Sequence, residues 1–128
     1  MATLNATLTL ASTDATSDAL SMTVTDSLTT GPPSIGISKV AIAAGGGDDT
    51  TLVASSAGNK YVYIKHTGFQ SDGTTATSNE IVVDFGTTDS IRLSTGEFAF
   101  FPVNDSNGLE ARADTASCSL EYAYWKKG

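Results

Sequence analysis

Basic side chains are in short supply: seven Lys and Arg stand against fourteen Asp and Glu, a formal charge of −7. Binding DNA or RNA requires cations that displace condensed counterions, and an anionic membrane surface requires them too. Neither nucleic acid nor membrane is therefore expected as a partner. A charge of this sign favours solubility. There is one histidine, His66, and one cysteine, Cys118. A transition-metal site needs several such ligands, and a nucleophile needs a base beside it. His66 and Cys118 fall in different predicted strands, so no triad and no metal site is expected. One cysteine forms no intrachain disulfide, so the fold does not depend on an oxidising compartment.

Long apolar runs are missing as well; none approaches the ~18 residues of a membrane-spanning helix. The opening MATLNATLTLAS has no basic region and no continuous apolar core of a signal peptide, so synthesis in a cytoplasm is expected. Asn5-Ala6-Thr7 and Asn104-Asp105-Ser106 match the glycosylation pattern, which without such a signal reads as chance. Blocks of Ala, Leu, Glu and Lys that would build helices are absent. Ser and Thr instead make up roughly a quarter of the chain. Thr and Val suit a half-buried pleated surface.

The class is therefore all-β. Period-two alternation marks the strands. Leu20, Met22 and Val24 alternate with Ser21, Thr23 and Thr25. Val62 and Ile64 alternate with Tyr61, Tyr63 and Lys65. Ile81, Val83 and Phe85 share a face, as do Leu109, Ala111 and Ala113, and Cys118, Leu120, Tyr122 and Tyr124. The richest stretch is Leu93–Pro102, LSTGEFAFFP, which holds three of the five phenylalanines. It predicts a turn at Ser94-Thr95-Gly96 and then a strand at the middle of the core, its aromatics holding two sheets together. The sum is about eight to ten short strands, an antiparallel β-sandwich that is most simply jelly-roll-like. Residues 1–19 read as an N-terminal strand and polar loop, either paired within the domain or serving as an arm. Residues 20–128 read as one sandwich domain. Gly31-Pro32-Pro33 is expected to break the chain into a stiff, extended connection.

The loops offer little chemistry. Gly45-Gly46-Gly47-Asp48-Asp49 lacks the lysine and following helix of a phosphate-binding loop and reads as a hairpin turn. Asn104–Gly108 resembles the start of a calcium loop but lacks its spaced carboxylates. Residues 67–79 form the longest polar loop and the best candidate for a recognition tip. The acids, among them Asp84, Glu97, Glu110 and Glu121, fall at strand ends or on polar faces, so no glycosidase-like pair is expected. No catalytic residue, cofactor or metal ligand is assigned, and an enzyme is not expected.

Four runs together resemble a known group. YVYIKHTG, EIVVDF, LSTGEFAFFP and GLEARADTASCSLEYAYWKKG, within residues 60–127, are similar to small β-rich virion proteins of tailed bacteriophages, especially marine and cyanobacterial phages. The resemblance implies a virion structural protein, foremost a capsid decoration or cement protein. It would sit on the capsid surface and stabilise the major capsid protein shell as a homo-oligomer, with a trimer favoured. The chain ends, Leu4, Leu8, Leu10, Trp125 and Lys126, are the expected contacts. An alternative is a tail- or fibre-associated receptor- or carbohydrate-binding module, with Tyr61 and Tyr63 as ligand contacts.

Overall fold

Every strong alternation in the sequence becomes a strand in the computed structural model, which describes residues 1–45, 49–55, 58–85, 88–104 and 108–128. Gly46–Asp48 of the glycine-rich loop and Asp105–Asn107 of the Asn-Asp turn lie outside the described residues. The strands are β1 (Ala2–Ser12), β2 (Leu20–Ile42), β3 (Thr50–Val53), β4 (Lys60–Gln70), β5 (Ile81–Asp84), β6 (Asp89–Leu93), β7 (Phe98–Val103), β8 (Leu109–Ala113) and β9 (Cys118–Lys127). They form two units: Met1–Gly31 with Lys127–Gly128, and Pro32–Lys126.

The larger unit is a jelly roll. One sheet has the order β2-β9-β4-β7, with β2 entering from Pro32 onward, and the other has the order β3-β8-β5-β6. Folding β2–β5 back on β6–β9 gives the pairs β2·β9, β3·β8, β4·β7 and β5·β6, an antiparallel ribbon rolled into two sheets. The core lies between them. Val62 and Ile64 of β4, Ile81 and Val83 of β5, Leu109 and Ala111 of β8 and Leu120 of β9 are all fully buried there. Phe85 and Phe101 meet edge to face across it, with ring centroids 5.8 Å apart.

Two expectations change. β7 is the edge strand of its sheet, not a central one. Only Ala99, Phe101 and Val103 pack on the core. Phe98 and Phe100 point out, 63% and 42% exposed, so the Phe-rich run is half core and half surface. Alternation alone cannot tell which face is inner when both carry aromatics. The turn before it forms as predicted: Glu97 N–H donates to Ser94 O, and Gly96 takes φ +82°. That φ at the third position is what a type II turn needs.

The second change concerns residues 67–79, which are ordered rather than a long free loop. β4 continues to Gln70, and Phe69 bridges Ala76. Asp72 accepts from the N–H groups of Thr74 and Thr75 and from the Thr75 hydroxyl. The hydroxyl bond, with the two backbone bonds, holds the Asp72 carboxyl down at about 2. An Asx-type turn thus closes the tip.

The smaller unit is a two-stranded ribbon. β1 pairs antiparallel with Leu20–Thr30 of β2 over eleven positions, from Ala2↔Thr30 to Ser12↔Leu20. Residue 19 lies in the turn that joins them. β2 runs through Gly31-Pro32-Pro33 as extended chain, and the boundary between the two units falls there, between Gly31 and Pro32.

Candidate functional site

Three places bring chemistry together, and the ribbon is the first. Its register sorts residues by parity. Ala2, Leu4, Ala6, Leu8, Leu10 and Ser12 lie on one face with Thr30, Leu28, Asp26, Val24, Met22 and Leu20 opposite, so that face is apolar save for Ser12, Asp26 and Thr30. The other face is Thr3, Asn5, Thr7, Thr9, Ser21, Thr23, Thr25, Ser27 and Thr29. There Thr7 meets Thr25, Thr9 meets Thr23, and the Ser27 hydroxyl donates to Asn5. Such cross-strand polar pairs fix the register. On the apolar face Leu8, Leu10, Met22 and Val24 are all exposed. A lone two-stranded ribbon is marginal in water, and contiguous apolar surface of this kind marks a contact region. The expected contacts Leu4, Leu8 and Leu10 thus share one face. Met22 and Val24 complete it; their alternation was legible, but the sequence reading placed them in the sandwich.

The second place is the outer face of β9-β4-β7. Across β4, Tyr61 is paired with Pro102 and Trp125, Tyr63 with Phe100 and Ala123, and Lys65 with Phe98 and Glu121. Tyr61, Tyr63, Phe98, Phe100 and Trp125 therefore lie on one side of three neighbouring strands. The rings of Tyr61 and Phe100 are parallel to within 11°, with centroids 6.1 Å apart. The Tyr63 hydroxyl donates to Glu121 Oε1 at 2.8 Å. Burial, then the bond to Glu121 and its charge, push the Tyr63 hydroxyl up to about 12. Beside the rings lies a cleft lined by Lys39, Lys65, Thr67, Phe69, Gly73, Ser119 and Glu121. Thr67 Oγ1 donates to Ser119 O at its floor. Tyr61, Tyr63 and Trp125 are thus brought together, while Lys126, of opposite parity, is paired with Lys60. Phe98 and Phe100 were missed because they were assigned to the core.

The third place is the outer face of the other sheet. Asp84 is in register with Glu110 on one side and Asp89 on the other. Asp49, Asp84 and Glu110 each bring a carboxylate oxygen within 4.8 Å of the others. Asp84 and Glu110, two of the acids read as falling at strand ends or on polar faces, therefore meet. Arg112 answers them, at 2.7 Å from Asp89 and 3.9 Å from Asp84. Arg92 pairs with Glu80 at 2.6 Å and lies 3.7 Å from Asp114.

His66 and Cys118 are structural in their settings. His66 is fully buried. Its Nδ1 accepts from Gly68 N–H at 2.9 Å, and its Nε2 lies 2.8 Å from Asn79 O. Cys118 is also fully buried, and its Sγ donates to Ala116 O. Burial pushes the Cys118 thiol up. A buried, undissociated thiol is inert. Native protein should therefore resist iodoacetamide for hours and react fully in denaturant; rapid labelling of the native protein would contradict the burial.

Comparison with protein-family models and with curated proteins finds no match. The site is therefore read from its own geometry.

Proposed function

We propose that the chain is a virion structural protein, a capsid decoration or cement protein that binds rather than catalyses. The observation that carries this reading is the ribbon of residues 2–30, whose mostly apolar face, interrupted at Asp26, exposes Leu8, Leu10, Met22 and Val24. Its occupant is the major capsid protein at the capsid surface. Residues 1–31 carry Asp14, Asp18 and Asp26 and no Lys or Arg. A second ribbon would bring like charge, whereas an apolar groove with a basic rim on the shell would not. The jelly roll supports the reading at the level of fold, since capsid domains use it, although fold alone does not fix function. Bound only to the assembled shell, such a protein stabilises the shell by mass action. A homo-oligomer, with a trimer favoured, follows from the resemblance.

The test is shell occupancy of a Leu8→Asp, Val24→Asp double variant on particles stripped of the protein. Completing the burial of Leu8, Leu10, Met22 and Val24 is worth about 4 kcal/mol, roughly a thousandfold in affinity. Occupancy should collapse in the double variant and persist in Thr9→Asp, which charges the opposite face. Full occupancy by the double variant would sink the arm as the contact.

A second reading, a receptor- or carbohydrate-binding module on a tail or fibre, is favoured by the aromatic side of β9-β4-β7. Lectin domains use the same fold.

A further inference from the structure

We infer that the outer face of β9-β4-β7 is a binding site for a carboxylated sugar, a pyranose that carries an acid group. The inference rests on the second reading above and adds the ligand's chemistry. Its two halves lie side by side. Rings make the first half. Tyr61 and Phe100 share an orientation, so a flat ligand face lying parallel to one ring lies parallel to both. Phe98 and Phe100 are the most exposed aromatics of the described residues. An aromatic face is weakly negative and receives the partly positive C–H face of a sugar ring, while each ring excludes water.

Cations make the second half. The chain has seven basic side chains, five of them outside the C-terminal pair Lys126-Lys127. Arg92 and Arg112 are held in ion pairs on the other sheet, and Lys60 is buried with its ammonium donating to Gly58 O. Lys39 and Lys65 instead line the cleft beside the rings. Neither is in an ion pair among the described residues. The cleft's one carboxylate, Glu121, already accepts from Tyr63. Two lysines against one engaged carboxylate make this cleft locally positive in a molecule of formal charge −7. A neutral sugar would leave that charge unused, whereas a carboxylate takes it up through charge-assisted hydrogen bonds. Thr67 and Ser119 line the same cleft. A few polar groups converging beside an apolar wall is the usual construction of a small-ligand site.

The experiment is calorimetric titration of the whole chain with four probes: hexagalacturonate and sialyllactose as two sources of the carboxylate, and cellohexaose and lactose as neutral counterparts. An acidic probe should bind with its affinity falling as salt rises. Which of the two binds identifies the source. Lys65→Gln and Lys39→Gln should each weaken it about tenfold, and Phe100→Ala should do the same. Phe100 and Lys39 are exposed, so these variants should keep the wild-type melting temperature. Equal binding of the neutral probes, lost in Phe100→Ala but not in Lys65→Gln, would overturn the acidic-sugar assignment and leave a carbohydrate module. Binding of none of the four would overturn both, and would mark the rings as a protein contact.

Discussion

Replacing His66 by alanine should cost the jelly roll roughly 3–5 kcal/mol, a large share of a small domain's stability. The reason lies in which ring nitrogen does what. Gly68 offers an N–H, so Nδ1 must be the acceptor. Nε2 then carries the proton and donates to Asn79 O. The ring thus ties the start of the 67–79 segment to its end. Through its backbone, His66 also donates to Glu97 O and accepts from Gly96 N–H, which fastens the Ser94–Glu97 turn to β4. Alanine takes the ring from the half-buried Gly68 N–H and Asn79 O and leaves a cavity, each with its own cost. His66→Gln supplies an acceptor and a donor on a shorter chain, and should recover part of the loss. Urea unfolding followed by tryptophan fluorescence measures both. A loss below about 1 kcal/mol for alanine would show that the two hydrogen bonds carry little weight.

The same residue shows how far the sequence could be read. Period-two alternation was enough to place β4, β8 and β9, and the spacing of turns was enough for a jelly-roll-like sandwich. His66 shared parity with Val62 and Ile64, so its inward face was legible; its partners were not, because Gly68 and Asn79 become neighbours only when the tip folds. Which face of β7 turns inward was not legible either. Phe98 and Phe100 on one side and Phe101 on the other give no hydrophobic contrast, and the edge position decides the matter. The ribbon was half legible. Thr3–Thr9 and, save for Asp26, Ser21–Thr29 alternate with apolar residues in one period, but nothing local says that Leu8 meets Val24 rather than a strand of the sandwich. The aromatic side was signalled by Tyr61 and Tyr63. The lysines beside it come from strands far apart in sequence, Lys39 on β2 and Lys65 on β4, and topology alone unites them.

Removing the charge of Arg112 should destabilise the protein at pH 7, because it takes away the cation that faces the buried Asp84 and its neighbouring acids, and most of that loss should vanish in acid. β5 was expected to bury one face, yet all four of its residues are buried. Val82 lies in register between Arg92 and Arg112, so the arginine stems cover its outward side while their heads stay wet. One pair of positions along, Asp84 is 2% exposed between Asp89 and Glu110, with Asp49 near. Arg112 is the cation that answers this group. Its bond to Asp89, with further attraction from Asp89, Asp49 and Asp84, raises its own pKa, and the bond in turn lowers that of Asp89. Arg112→Met keeps a stem over Val82 and removes the charge, so any loss measures electrostatics more than packing. In wild type Arg112 holds the folded pKa of Asp89 below the unfolded value, chiefly through their hydrogen bond. That stabilisation is present above the unfolded pKa of Asp89 and lost as pH falls through the folded one, and Arg112→Met lacks it. Stability of wild type and Arg112→Met, measured by urea unfolding from pH 7 down to about pH 2, should therefore converge. Arg112→Lys, which keeps the charge without the fork, should lie between them. A difference that stays constant across that pH range would assign the role of Arg112 to packing over Val82 and not to the carboxylates.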